Sequence, residues 1–118
     1  MNKLIASCAL GVALSLLPFG ALEADSKLST RALYALFPGH FQGKVQGMVD
    51  IAFTATASGR LYGKVMGKTD RGRWKVSRGK LCIALANLTD GKFRCSHVQR
   101  DGEWFRAYHG RPITFRKL

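Results

Sequence analysis

The chain has 118 residues and a formal net charge of +12, because 19 lysines and arginines stand against only 7 aspartates and glutamates. A chain of this length forms one small domain, near the size at which a hydrophobic core alone leaves a thin stability margin. The sequence contains no internal repeat, low-complexity tract or interdomain linker, which argues against a repeat array or a second domain within these residues.

Residues 1–24 have the pattern of a secretory signal peptide. A basic start at Lys3 is followed by an apolar run at 4–19 and by small residues up to Ala24. The apolar run has about 16 residues, whereas a membrane-spanning helix needs about 20. We therefore expect cleavage after Ala24, a single mature domain at 25–118, and a periplasmic or secreted location. Cleavage would remove one cation and one carboxylate, Lys3 and Glu23, so the mature domain would keep the full net charge of +12.

The segment LSTRALYALFPG, residues 28–39, predicts one short helix. Ser29 is a candidate N-cap at its start. The helix should end at Phe37, because a residue that precedes a proline, here Pro38, is pushed out of the α region. About two turns are expected, which is too short to be stable without packing against another element.

From residue 41 onward, short runs of β-forming residues are punctuated by glycine, as in an antiparallel meander. Val49, Ile51 and Phe53 alternate with smaller or polar residues, which indicates a strand with one buried face. We predict a mainly β fold, a small antiparallel barrel or sandwich of about seven or eight strands with one short N-terminal helix. The predicted strands cover residues 41–47, 49–54, 61–66, 72–78, 80–87, 92–99, 103–109 and 112–117.

Two cysteines, Cys82 and Cys95, remain after the predicted cleavage. If residues 88–91 form a turn, the flanking strands run antiparallel in a register that places these cysteines opposite each other. We therefore predict a disulfide between them, with a Cα separation of about 4.4 to 6.8 Å. Redox or metal chemistry is the less favoured interpretation, because the pair lacks C-x-x-C spacing and a second pair of ligands.

The stretch DRGRWKVSRGKLC, residues 70–82, has the period of two that is typical of a strand with one core face and one solvent face. Trp74 and Val76 should point to the core, while Arg73 and Lys75 should face solvent. A face that needs only solvation could mix acids with bases. Here the cations stand against a single carboxylate, Asp70.

Two interpretations of this cationic face remain open: a functional anion-binding surface and a generic basic surface. A high net charge indicates non-specific attraction to polyanions but does not identify a partner. The candidate anion-binding residues are Arg71, Arg73, Lys75, Arg78, Arg94 and Arg106.

Anionic polymers or lipid head groups are the expected partners, because an exported protein meets lipid A phosphates, acidic polysaccharide and phospholipids. Nucleic acid is a weaker candidate. Four aromatic residues lie near cations as in single-strand binders: Tyr62, Trp104, Phe105 and Tyr108. No RNP, zinc-finger or helix-turn-helix pattern accompanies them. The alternative function is a protein-binding module, such as an inhibitor of an acidic hydrolase.

The residue types needed for catalysis are present but not in a catalytic pattern. His40, His97 and His109 are scattered, and none has a carboxylate or second histidine at ligand spacing. Ser96 precedes His97 directly, yet adjacent strand residues point to opposite faces and cannot form a nucleophile and base pair. We therefore predict that the protein is not an enzyme and holds no metal or other cofactor.

Four motifs occur in an informative order along the chain: LFPG (36–39), SGRLYG (58–63), GRWKVSRGKLC (72–82) and CSHV (95–98). Together they resemble a family of small exported proteobacterial proteins of uncharacterised function, frequent in rhizobia and their relatives. The family has a G-x-W-x-V-x-x-G-x-L-C core and a later C-x-x-V. The resemblance implies that Trp74, Cys82 and Cys95 form the structural signature, and it implies no activity. Ser77 and Arg78 stand where the family usually has a turn acid, so the basic face is a departure from the pattern.

Overall fold

The computed structural model describes residues 27–118, so the predicted signal peptide at 1–24 lies outside the described residues. Within the described part, nine antiparallel strands form one sheet that curls into a half-barrel, and one short helix packs against it. The predicted mainly β fold with a short helix before the strands is confirmed.

The elements follow one another closely along the chain. The helix α1 spans Thr30–Leu36. The strands are β1 (Gly39–Val45), β2 (Val49–Ala55), β3 (Arg60–Val65), β4 (Lys68–Ser77), β5 (Lys80–Leu85), β6 (Arg94–Ser96), β7 (Gln99–Asp101), β8 (Trp104–Tyr108) and β9 (Pro112–Lys117).

The helix α1 begins and ends where the sequence predicts. The Ser29 side chain accepts a hydrogen bond from the N–H of Ala32 at 3.1 Å, which satisfies one of the free donors at the helix start. Phe37 is the C-terminal cap, in extended backbone before Pro38. Leu33 and Phe37 are fully buried, so tertiary packing supplies the stability that a helix of two turns lacks.

The strand order across the sheet is β6-β5-β4-β3-β2-β1-β9-β8-β7, so the last strand pairs with the first. The two edge strands, β6 and β7, are consecutive in the chain and are separated only by His97 and Val98. Beside this junction, the N–H of Tyr108 donates to Ser96 Oγ at 2.9 Å. The curl therefore brings the two edges of the sheet close together, although no ladder pairs them.

The structure has more strands than expected because the predicted strand at 92–99 is shortened to β6, and a further strand, β7, begins at Gln99 and runs to Asp101. Val98 is fully buried between them, and its carbonyl oxygen accepts the N–H of Leu28 at 2.8 Å. The predicted strand at 80–87 ends two residues early. The N–H of Leu85 donates to Thr89 Oγ1 at 2.9 Å, within the turn that follows β5, and so it does not continue the ladder with β6.

The core lies on the inner, concave face of the sheet, where α1 covers it. Phe37 stacks on Phe41 with ring centroids 4.5 Å apart and lies 5.5 Å from the Trp74 ring. Trp74 is only 8% exposed, and its Nε1–H donates to the carbonyl oxygen of Thr56 at 2.8 Å. The prediction that Trp74 points to the core is confirmed.

Glycines allow neighbouring strands to approach closely as the sheet curls. A Cβ atom at Gly72 on β4 would overlap the carbonyl oxygen of Ala84 on β5, and one at Gly43 on β1 would overlap the carbonyl oxygen of Thr114 on β9. Any other residue at these two positions would push the strands apart, so the tight curvature depends on them.

The disulfide between Cys82 and Cys95 forms as predicted, and the two residues are opposite each other in the β5–β6 ladder. Their Cα atoms are 3.9 Å apart, so the predicted separation was too long. Directly opposed residues in an antiparallel ladder already approach to about 4.5 Å where they exchange no hydrogen bonds. Cys82 lies on the outer face of β5, while Leu81 and Ile83 face the core, and all three are buried.

Candidate functional site

The outer face of β3 and β4 carries five exposed cations, which we call the basic strip: Arg60, Lys64, Arg71, Arg73 and Lys75. Side chains alternate between the two faces of a strand, so these residues point away from the core that Leu61 and Trp74 enter. The prediction that Arg73 and Lys75 face solvent is confirmed.

The register of β3 and β4 brings like charges together in the basic strip. Arg60 lies directly opposite Arg73, and Tyr62 lies opposite Arg71. Like charges at directly opposed positions destabilise a pair of strands. The ion pairs within residues 27–118 are Lys44 with Asp50 and Arg106 with Asp101, and neither involves the basic strip. Within residues 27–118, therefore, no carboxylate forms an ion pair with the charges of the strip.

The one carboxylate of the DRGRWKVSRGKLC stretch does not lie on the basic strip. Asp70 is 3% exposed, on the inner side of β4. Its two carboxylate oxygens accept the N–H groups of Asn87 and Leu88, each at 2.9 Å, and one also accepts the N–H of Arg71 at 3.0 Å. Asp70 thus anchors the connection between β5 and β6, and it leaves the outer face of β4 without an acid.

Phe93 lies beneath two cations of the basic strip. The guanidinium carbon of Arg73 is 5.1 Å from the Phe93 ring centroid, and Lys75 Nζ is 4.4 Å from it. Both contacts fall within the range of cation–π attraction. Phe93 precedes Cys95 by two residues, and Cys95 is bonded to Cys82, which is opposite Lys75. The disulfide therefore fixes the segment that holds the ring under the cations.

The sequence analysis did not single out Phe93, although a signal for it was present. The Cys82–Cys95 register, continued by two residues, places Phe93 opposite Ala84, and Ala84 is opposite Arg73. Because alanine is small, the side chain of Arg73 can reach over it to the ring. Once the disulfide fixes the register, the sequence alone predicts that Phe93 lies in line with Ala84 and Arg73 across the sheet.

The structure brings together three of the six candidate residues, Arg71, Arg73 and Lys75. Arg78 lies in the two-residue turn that follows β4. Arg94 lies on β6, directly opposite Ile83 of β5. Because opposed residues share a face and Ile83 faces the core, Arg94 belongs to the inner face of the sheet and not to the face of the basic strip. Arg106 lies on β8, which is not adjacent to β4, and its Nε is 3.8 Å from Asp101.

A second surface on β8 combines aromatic and cationic side chains. Trp104 and Tyr108 are 37% and 61% exposed, and both point outward from β8. The guanidinium carbon of Arg116 lies 5.2 Å from the Trp104 ring centroid. This β8 surface lies apart from the basic strip in the strand order.

No family model, curated protein or solved structure matches this chain. The resemblance to small exported proteobacterial proteins thus stays a prediction. Function has to be inferred from the surfaces of the molecule itself.

The histidines occupy unrelated positions. His40 Nδ1 lies 2.9 Å from Thr54 Oγ1 on the surface, while the buried His109 donates from Nε2 to the carbonyl oxygen of Leu81 at 2.8 Å. Burial lowers the pKa of His109, and the hydrogen bond to Leu81 opposes that shift. Residues 27–118 contain no cluster of three or more histidine, cysteine or acidic side chains able to hold a metal ion. No helix in the same part of the chain is long and apolar enough to cross a membrane.

Proposed function

We propose that the protein is a periplasmic or secreted binding module that holds an anionic component of the cell envelope on its basic strip. The observation that carries the proposal is the exposed array of five cations on β3 and β4, with Arg60 opposite Arg73 and Asp70 buried behind it. Such an arrangement lowers the stability of the free protein slightly. An anionic partner would relieve the repulsion.

The spacing of the basic strip suits a partner with repeated charges. Arg71 and Lys75 are separated by four residues of one strand, which is about 13 Å at ~3.3 Å per residue. Arg73 lies between them and is held by the Phe93 ring. Side chains that are ordered before binding lose less entropy when a phosphate or carboxylate arrives. The strip should therefore contact several anionic groups of one polymer or head-group layer.

The compartment is part of the same proposal. Structural disulfides persist in oxidising compartments such as the bacterial periplasm, and the bond between Cys82 and Cys95 supports a location outside the cytosol. The signal-peptide pattern at 1–24 supports export independently.

The test compares two double variants that lose the same net charge. We expect Arg73→Gln with Lys75→Gln to weaken binding to polygalacturonate, lipopolysaccharide or phosphatidylglycerol vesicles, and the affinity of the unaltered protein to fall steeply with salt. The matched control, Lys27→Gln with Arg31→Gln, should weaken binding much less, because it changes only the net charge. Melting temperatures should not fall, because exposed charges contribute little to stability and the first variant also loses the repulsion between Arg60 and Arg73.

Titration of each probe separately shows which anionic source the basic strip prefers. Equal losses from the two double variants would contradict the proposal, because net charge alone would then account for binding.

The β8 surface favours a second candidate, a protein-binding module such as an inhibitor of an acidic hydrolase. Trp, Tyr and Arg dominate the energetic centres of protein interfaces, and Trp104, Tyr108 and Arg116 lie together on this face. Capture of a protein from envelope extract that persists at high salt and is lost with Trp104→Ala would favour this function. Binding that disappears at high salt would favour the basic strip.

A further inference from the structure

The turns at one end of the sheet expose two methionines. Met48 and Met66 are each 75% exposed, the largest exposed fractions among the large hydrophobic side chains of the described residues. Single exposed apolar residues are ordinary on protein surfaces, but apolar groups that cluster at one site mark an interaction surface.

The strand register places the two methionines on neighbouring hairpins at the same end. The pair Val45 and Val49 closes the β1–β2 turn that contains Met48, and the pair Val65 and Lys68 closes the β3–β4 turn that contains Met66. The two hairpins are themselves joined by pairing of β2 with β3. Their turns therefore project side by side, and we call them the methionine tips.

The β3–β4 turn also extends beyond the neighbouring strand on its other side. The β4–β5 ladder ends where Gly72 meets Leu85, and the residues after β5 still contact β4, because the N–H of Ala86 donates to Arg71 O at 3.0 Å and Asp70 accepts from Asn87 and Leu88. Lys68 and Thr69 lie beyond these contacts. The methionine tip at Met66 is consequently free of cover from β5.

Met66 occupies a position that its own conformational preferences disfavour. It has a φ of 53° and is followed by Gly67 with a φ of 78°. A two-residue turn with both φ angles positive favours asparagine or aspartate before the glycine. Gln46 and Arg78 adopt the same backbone conformation before a glycine, so the turn itself does not select methionine, and at 75% exposure Met66 gains no burial within the molecule.

Cations surround the methionine tips. Lys68 follows Met66 closely, and Arg111 lies in the β8–β9 turn, which is joined to the β1–β2 turn because the N–H of Gln46 donates to Pro112 O at 2.8 Å. Asp50 is neutralised by Lys44 at 2.7 Å. The β5–β6 connection reaches the same end with one acid and one base, Asp90 and Lys92.

We propose that the methionine tips dock on an anionic phospholipid bilayer. Met48 and Met66 enter the boundary between head groups and acyl chains, while Lys68 and Arg111 contact the phosphates. Burial of apolar side chains and attraction to anionic lipid act together in such interfacial binding. Two narrow turns offer far less than the roughly 800 Å² that each partner contributes to a standard protein interface, so a lipid surface fits them better than a second protein.

The experiment measures binding to vesicles of phosphatidylglycerol and phosphatidylcholine by sedimentation. The variant is Met48→Ser with Met66→Asn, and asparagine suits the φ of residue 66, so the fold should be retained and the melting temperature should not fall. We expect vesicle affinity to fall by about tenfold for each methionine removed, from the lost burial of its side chain. Binding to polygalacturonate should be unchanged, because the basic strip is intact.

The matched control is Tyr34→Ser. Tyr34 is 56% exposed on α1, and the start of α1 lies at the opposite end of the sheet, where Thr30 Oγ1 accepts the N–H of Gly79 in the β4–β5 turn. Its replacement should leave vesicle binding unchanged. Equal vesicle binding by the methionine variant and the unaltered protein would overturn the proposal.

A second readout does not depend on comparing affinities. Met66→Trp should add a fluorescence signal that shifts to shorter wavelength with vesicles and is quenched by brominated lipids. No added quenching would also overturn the proposal. Failure of the basic strip would appear instead as equal polygalacturonate binding by the two charge variants, so the two proposals can fail separately.

Discussion

Asp70 lies among the cations of β4 in sequence, but its side chain points to the other face of the sheet. Three backbone N–H groups surround its carboxylate, so the charge is satisfied without any help from an arginine or lysine. Successive side chains of a strand point to opposite faces, so the thickness of the sheet separates the Asp70 carboxylate from the side chains of Arg71 and Arg73. The sequence showed the composition of this stretch, and the structure shows that the outer face of β4 is more uniformly positive than the composition alone indicates.

Trp74 is the residue whose loss should affect stability most directly. Trp74→Ala should cost about 3 to 5 kcal/mol, because it removes a large side chain from the core and leaves the Thr56 carbonyl without its donor. Urea unfolding measures this cost. The control is Trp104→Ala, which alters a 37% exposed ring and should cost much less. A Trp74 variant as stable as the Trp104 variant would contradict the placement of Trp74 in the core.

At the scale of elements, the sequence predicted the features whose signals are local. Ser29 and Pro38 mark the bounds of α1, and the two cysteines set the β5–β6 register correctly. The pairing of β9 with β1 could not be predicted, because it joins segments about seventy residues apart and depends on how the whole sheet curls. Phe93 was missed for a similar reason: it lies in the predicted strand at 92–99, but its role arises from Arg73 and Lys75, which belong to another strand of the sheet.

Phe93 connects the disulfide segment to the basic strip, and this connection can be tested. Phe93→Leu keeps an apolar side chain but removes the aromatic face. We expect polygalacturonate affinity to fall a few-fold, in line with about 0.5 to 1 kcal/mol for a surface cation–π contact. Isothermal titration measures the change.

The control for Phe93 is Phe53→Leu. Phe53 is also half-buried, but it stacks on Phe41 with ring centroids 5.0 Å apart, and among residues 27–118 no cation lies over its ring. Its replacement should leave polygalacturonate affinity unchanged. If both leucine variants bind equally well, the ring does not order the cations of the basic strip.

At the scale of the whole molecule, opposite parts of the curled sheet meet across the interior. His109 follows β8 and donates to Leu81 on β5, a strand that is not its neighbour in the sheet. The same imidazole borders an apolar cavity of about 30 Å³ that Leu61, Leu81 and Phe115 also line. The only buried histidine of residues 27–118 therefore joins the two halves of the half-barrel.

This position makes stability depend on pH in a definite direction. Burial lowers the pKa of His109 in the folded state, whereas the unfolded chain keeps the ordinary value near 6.5. The unfolded state therefore binds more protons as pH falls below that value, and the free energy of unfolding decreases. Melting temperature should fall as pH is lowered from 7 to 5 in the unaltered protein.

The variant that tests this contribution is His109→Gln, whose amide can still donate to the Leu81 carbonyl but does not titrate. Its melting temperature should change less over the same pH range. An equally steep pH dependence in the variant would assign the effect to other groups.

The short edge strands β6 and β7 limit the pairing of one molecule with another through the edges of the sheet. Each has three residues, and a two-residue connection links them directly. Exposed strand edges are templates for the addition of further strands, and short edges suppress this. The described sheet therefore offers an incoming strand no long run of free backbone groups. If copies of the protein are concentrated on an anionic surface that neutralises their charge, they should still not aggregate by pairing of their strand edges.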